Sequence, residues 1–383
     1  MPESILFYLS TNIRLQMNLT DIPNLRLLNQ QVVSTKFKTA KEIVGWMGAM
    51  QAQDFNMAKW AVGVRLPGST DQLIASAFDK GEILRTHLMR PTWHFVSSDD
   101  IYWMLELTAP QIRVSLKARD KVLEIDQRIY SKSNAVIENA LRGGEHLTRE
   151  EIVDILENAG IATDIYRITH YLLRAELDGI ICSGRTKNNK QTHALLAERA
   201  PVTKALNHDE ALAKLAQRYF TSHSPATLHD FIWWSGLPAT KARHALEMVK
   251  SDFVAETIGQ QTYWLTNAFS IPKSYDDSVH LLPAFDEFII SYKDRTATLS
   301  STNHLRAVST NGIFRPVVVM DGLVAGIWKR SFKKEKVILE TELFEPADPK
   351  TRKRIEKGFI PFGNFINKEI EIAVPHLLKT GTK

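Results

Sequence analysis

Cysteine is nearly missing from this 383-residue sequence, in which Cys182 stands alone. No disulfide can close within the chain, and no cysteine-based zinc or iron–sulfur cluster can form. A lone thiol fits a reducing compartment, so a cytoplasmic location is expected. Long apolar runs are missing too. Ile5–Leu9 is far too short to cross a bilayer and follows no basic segment, so no membrane association is expected. The twelve histidines never fall at a metal-binding spacing with a suitable third ligand, which predicts no metal site. Gly-rich phosphate loops and the Gly-x-Ser-x-Gly elbow are absent as well, so no cofactor is expected and serine-hydrolase chemistry has no support.

What is present is an ordinary globular balance, 44% hydrophobic and 24% charged, with a net charge of +5 and a pI near 9.0. This permits a polyanionic partner without requiring one. Residues 1–24 read as a leader, with Met17 a candidate start. Beyond it, three segments repeat one pattern without repeating sequence: helix, turn, helix, strand pair. The first opens at the capping box Thr39-Ala40-Lys41-Glu42 and includes the strand-forming stretch Thr86–Val96. The second opens at Thr148-Arg149-Glu150-Glu151 and ends in two strands around the basic turn Gly184–Gln191. The third runs from Thr227 to a strand pair across Gly259-Gln260-Gln261. Helix–turn–helix followed by a β-wing is the winged-helix pattern. From about Ile271 the chain becomes β-rich, with a hairpin across Asp321-Gly322 and a late helix from Asp348. The expected fold is therefore α+β: winged-helix domains at 25–145, 146–203 and 204–270, then a small barrel-like domain at 271–383.

The chemistry-bearing candidates are few. Gln51 and Gln53 lie where the first helix loses its apolar periodicity. In extended chain two residues spaced i, i+2 face the same way, and two amides could then hold one water. In a helix they would diverge and merely satisfy its end, and both readings stay open at this point. Asp54 reads as a helix cap. In Thr86–Val96, strand alternation places Arg90 and His94 on one face, and Arg90, Trp93 and His94 are expected to contact DNA, Arg90 as a phosphate partner and Trp93 as a stacking surface for a base, or else to form an ordinary hairpin with a core Trp and a surface ion pair. Arg185, Lys187 and Lys190 cluster on the second wing, either as a solvated turn or as phosphate contacts. Asp286, Glu287, Asp294 and Arg295 read as a structural carboxylate–arginine group.

Several blocks together carry a resemblance. Met47–Asp54, Leu88–His94, Thr227–Leu237, Leu281–Ile289, Asp294-Arg295 and Arg315–Trp328 resemble, in order, the conserved blocks of the AlkZ-like DNA glycosylases, over roughly residues 25 to 375. The resemblance implies tandem winged-helix domains and a β-barrel around a DNA channel. It implies monofunctional excision of alkylated purines and, in some members, unhooking of interstrand crosslinks. It assigns Gln51 and Gln53 as the catalytic pair. A sister group typified by YcaQ carries Asp second in this motif, so Gln53 puts this chain on the AlkZ-like side. The expected partner is double-stranded DNA containing alkylated bases, met by a monomer with no required protein partner. A non-catalytic winged-helix DNA-binding regulator is the competing expectation, since it would need neither glutamine.

Overall fold

The computed structural model describes residues 17–203, 205–266 and 279–373. In chain order the elements are α1 (Ile22–Asn29), α2 (Ala40–Met47), β1 (Ala49–Gln51), α3 (Phe55–Gly63), α4 (Asp71–Asp79), β2 (Ile83–Leu88), β3 (Thr92–Ser97), α5 (Ile101–Val122) and α6 (Gln127–Leu141). Then follow β4 (Leu147–Thr148), α7 (Arg149–Asn158), α8 (Ile165–Leu177), β5 (Ile181–Ser183), β6 (Thr192–Leu195), α9 (Leu196–Arg199), α10 (His208–Ser222), α11 (Leu228–Ser235), α12 (Ala239–Val249), β7 (Phe253–Ile258) and β8 (Gln261–Thr266). The last part holds β9 (Val279–Leu282), α13 (Glu287–Ile290), α14 (His304–Ala307), β10 (Val317–Met320), β11 (Leu323–Phe332), β12 (Lys336–Leu343), α15 (Pro349–Ile366) and β13 (Glu369–Ile372). The chain is thus a mixed α+β protein. Among the described residues no helix is long and apolar enough to cross a membrane.

The three repeats carry one more helix and one more extended segment each than the sequence suggested. The first two follow the order helix, strand, helix, helix, strand, strand: α2-β1-α3-α4-β2-β3 and α6-β4-α7-α8-β5-β6. Their sheets have matching orders, β1-β3-β2 and β4-β6-β5. In the third, α10-α11-α12-β7-β8, a bridge between Ala226 and Trp264 stands in the place of the short first strand. Segments of two or three residues are too short for alternation to reveal. The helix starts were legible. At Thr39 the side chain accepts from Glu42 N at 3.2 Å while Thr39 N donates to Glu42 at 2.9 Å. Thr148 and Glu151 make the same reciprocal pair.

Burial corrects three expectations. Residues 17–24 are not a leader: Met17 is 2% exposed and packs with Ile22, Leu25, Tyr263 and Leu265, while residues 1–16 lie outside the described part. The first boundary falls earlier than 145. Leu123, Tyr130, Ile137 and Leu141 belong to the second unit's core with Ile152, Leu156 and Tyr171, because α6 is the second unit's own first helix. Among the described residues the C-terminal sheet is five-stranded, with no pairing between its edge strands to close the expected barrel. Its order is β13-β12-β11-β10-β9, and α15 lies against both edge strands, its Phe362 meeting Trp60 and Trp328 and its Phe365 meeting Trp60. That same apolar cluster includes Ile43, Met47, Met50 and Phe95 of the first unit, so the first unit and the C-terminal sheet share one core. A second core joins Leu84, Val96 and Trp103 to Tyr219, Phe231 and Trp234 of the third unit. The first unit is therefore wedged between two partners, and its short strand β1 lies where they meet.

Candidate active site

Gly48 decides the conformation of the glutamine motif. It ends α2 at φ +80°, a left-handed-side value that costs a side-chain-bearing residue dearly, and a Cβ there would sit 3.0 Å from Arg218 Cγ and 3.5 Å from Trp234. The chain turns out of the helix and enters β1, which pairs antiparallel with β3 in the register Ala49–Val96, Met50–Phe95, Gln51–His94. The pairing runs past the strand: Ala52 N donates to Trp93 O at 2.7 Å, and Trp93 N donates to the Gln53 side-chain oxygen at 3.2 Å. The extended reading holds as far as Gln51; Gln53 lies past the end of β1 in an exposed bend, tied to β3 through its side-chain oxygen. Asp54 then caps α3, its carboxylate accepting from Met57 N at 3.0 Å.

Gln51 is held from two sides. Its backbone N–H donates to Glu287 Oε1 at 2.6 Å, and its side-chain Oε1 accepts from Arg90 Nη2 at 3.0 Å. A guanidinium has no acceptor, so the Gln51 oxygen must face Arg90, and among the described residues its amide NH2 has no hydrogen-bond acceptor. The oxygen keeps a second lone pair. Gln51 is 7% exposed, whereas Gln53 lies at the surface.

Arg90 reaches Gln51 from a turn, not from a strand. Met89 adopts φ +60° at the tip of the β2–β3 hairpin, and Met89–Pro91 form the turn. The expectation that alternation pairs Arg90 with His94 is therefore corrected, although the two do come close enough for Arg90 to help suppress protonation of His94. Arg90 Nη1 also donates to Trp233 O at 3.4 Å. Burial lowers the Arg90 pKa, opposed by the nearby Glu287 carboxylate. Gly236 makes this approach possible. It closes α11 at φ +68°, and a Cβ on it would meet Met89 O at 2.9 Å and Arg90 Cγ at 3.2 Å.

His94 is 1% exposed, so it cannot touch DNA directly, contrary to expectation. Burial, reinforced by Arg90, pushes its pKa down to about 3, and the neutral ring packs behind Gln51 with Nδ1 2.9 Å from Thr92 O. Trp93 is half-buried, its ring 4.0 Å from that of His87 and 4.1 Å from the Arg85 guanidinium. Arg85 is buried and donates to Ala52 O at 2.9 Å; burial lowers its pKa to about 10, so it stays cationic.

Glu287 is the functional neighbour that the motif reading missed. It had been grouped with Asp286, Asp294 and Arg295 as a structural set. Asp286 indeed pairs with an arginine, but with Arg65 from the turn after α3, through two 2.8 Å bonds in full burial. Glu287 instead turns toward Gln51. Burial alone would raise its pKa, but His223, the Ser291 hydroxyl and the Gln51 N–H outweigh that and hold it down to about 2, so it is a buried carboxylate at neutral pH. Only the pattern Asp-Glu at a helix start hinted at it; nothing in the linear chain links residues 51 and 287.

On the second wing, Lys187 Nζ is 2.7 Å from Glu151 and Lys190 Nζ 3.5 Å from Glu150, both on α7. Arg185 Nε donates to Asp79 O at 3.2 Å. All three stay exposed, away from Gln51.

With this geometry in view, the comparisons are informative. The sequence matches the family described as DNA glycosylase AlkZ-like over residues 44–365. The chain belongs to that family. It is an enzyme of the DNA glycosylase class, acting in DNA repair. An interstrand DNA cross-link repair glycosylase from Streptomyces sahachiroi is 24% identical over 320 residues, covering 76% of this chain and 82% of that one. The solved structure of the Streptomyces sahachiroi DNA glycosylase AlkZ superposes with a TM-score of 0.75 at 19% identity, covering 94% of this chain and all of the other. That likeness speaks for the fold.

Proposed function

We propose that this AlkZ-like protein is a monofunctional glycosylase that hydrolyses the N-glycosidic bond of alkylated purines in duplex DNA, with Gln51 and Gln53 positioning the water. The three helix–strand–hairpin units are read as winged-helix modules that embrace the duplex. Alkylation at N3 or N7 makes the base a cationic leaving group, so no strong general acid is required. The bond breaks through an oxocarbenium-like sugar, and the enzyme must supply an oriented water and tolerate positive charge. Neutral amide oxygens suit that task, though they stabilise a cation less than a carboxylate would. The reading confines the enzyme to destabilised, cationic lesions. By the name of its Streptomyces relative, unhooking of interstrand crosslinks is included among the candidate reactions.

The observation that carries this reading is the doubly clamped Gln51. Its oxygen is fixed by Arg90, its backbone by Glu287, and its NH2 has no acceptor among the described residues. A DNA-binding regulator would have no use for a buried amide held this way. A lyase route would want a free amine, yet the neighbouring Lys59 is buried and paired with Asp71 at 2.7 Å. The test is single-turnover excision of 7-methylguanine from a defined duplex by Gln51→Ala, Gln53→Ala and the pair. The expected result is a loss of on the order of a hundredfold or more in the double variant at unchanged DNA affinity. Wild-type rates in that variant would remove the assigned chemistry.

A further inference from the structure

We infer that Lys293 and Arg295, together with Arg90 around the indole of Trp233, form a cradle for one phosphodiester of the DNA strand that carries the base to be excised. This rests on the glycosylase reading and extends it to a binding subsite next to Gln51.

Three cations converge on one ring. Lys293 Nζ lies 4.8 Å, the Arg295 guanidinium carbon 5.3 Å and the Arg90 guanidinium carbon 5.6 Å from the Trp233 ring centre. Trp233 is half-buried and anchored by its Nε1 donating to Ile290 O at 2.7 Å. Arg295 is fixed by Nε donating to Ile289 O at 2.9 Å, and Lys293 is exposed. Like charges gather only with compensation, and the local carboxylates give it from a distance: Asp230 and Asp294 act on Arg295, and Glu287 on Arg90, without a direct ion pair. Among the described residues neither Lys293 nor Arg295 has a carboxylate within ion-pair distance. Asp230 is turned instead to Thr227 N and Oγ1 at 2.9 Å and to Lys293 N at 2.8 Å, with Asp294 N at 3.3 Å and Arg26 at 3.9 Å. Asp294 accepts from Thr296 N, Thr296 Oγ1 and Gln261 at 2.9, 2.7 and 3.1 Å. The carboxylates thus order the backbone that presents Lys293 and Arg295 and leave both cations without a direct carboxylate partner among the described residues.

An anion completes such a group, and its place names which anion. Arg90 touches both Gln51 and Trp233, so the cradle begins one guanidinium away from the proposed water site. A phosphodiester offers oxygens to Lys293 and Arg295 while its sugar lies against the indole, and charge-assisted contacts of this kind fix register rather than sequence. The strand so held is the one whose sugar must reach Gln51.

The experiment is a salt series of duplex binding by fluorescence anisotropy, using the full chain, on a 7-methylguanine duplex. Lys293→Ala with Arg295→Met should weaken binding about tenfold at low salt and flatten the log–log salt slope by roughly one. A methylphosphonate beside the lesion should weaken the wild type by a similar factor, leave the double variant unchanged, and do nothing when moved to the opposite strand. An unchanged slope, or losses that add between variant and neutral linkage, would overturn the cradle. Because Arg295 also braces the backbone, Lys293→Ala alone repeats the test without touching a buried group, and Lys293→Arg should restore the slope. The readout is binding, so it separates from the chemistry. If Gln51→Ala with Gln53→Ala kept full excision while the slope still fell in the Lys293 variant, the water assignment would fail and the cradle would stand.

Discussion

Two β-hairpins with cationic tips occupy matching places in the first and second units, and their charges meet opposite fates. The β5–β6 tip carries Lys187 and Lys190, which look like the better DNA contacts in the sequence. They bend back to Glu151 and Glu150 on their own α7, at exposed sites where such pairs contribute little. The β2–β3 tip carries the single charge Arg90. It is drawn inward by the third unit, loses much of its hydration, and ends on Gln51 and Trp233. A hairpin tip whose partner is solvent neutralises itself locally, whereas a hairpin tip clamped by a neighbouring unit keeps its charge for a site. The number of cations on a turn therefore says less than what stands opposite it.

Breaking the clamp should have the largest effect. Gly236→Val adds a side chain at φ +68° and drives it into Met89 O, 2.9 Å from even the first carbon. A stability loss of about 2–4 kcal/mol is expected, read by denaturant melts, with excision falling further than melting explains because Arg90 is displaced. Next comes Arg90→Lys. Lysine keeps the charge but cannot bridge Gln51 and Trp233 O as a planar fork does, so single-turnover excision should drop about tenfold with folding intact. Rates equal to wild type would show that Arg90 serves Gln51 only as a charge.

A pH series sharpens the same contrast. His94 is buried, with its pKa lowered to about 3 from an ordinary value near 6.5; His193 and His280 are both lowered to about 4. The unfolded chain takes up these protons first. Stability should thus be full above pH 6.5 and fall as pH drops toward 4, by up to about 1.4 kcal/mol per pH unit for each such histidine. His94→Phe should shallow that slope in a melting series. Glu287, held at about 2, adds stability above its ordinary value near 4.5 that is lost only in stronger acid. The smallest effect belongs to the solvent-facing wing. Lys187→Ala or Lys190→Ala should shift stability by under about 0.5 kcal/mol and duplex affinity by less than about twofold, while Glu150→Gln should tighten binding slightly by freeing Lys190. A strong loss in Lys187→Ala would return that wing to the DNA interface.

Much was legible in the chain itself. Capping boxes at Thr39 and Thr148 mark helix starts because they are local, and Asp321-Gly322 marks the β10–β11 hairpin for the same reason. The ordered blocks from Met47 to Trp328 gave the family, and with it the enzyme class. The strand that carries Gln51 was visible only as a choice between helix and extended chain, because a three-residue strand has no period to detect.

Composition and local pattern alone determined the absence of disulfides within the chain and the mixed helix–hairpin repeats, and the resemblance of ordered blocks singled out the glutamine pair. The tertiary structure decided what surrounds that pair. Glu287 lies 236 residues from Gln51 and Trp233 lies in another unit from Arg90, so their pairings follow from how three units share two cores. Hydrogen bonds and desolvation act over a few ångströms of space, and the linear sequence records no such distance between units.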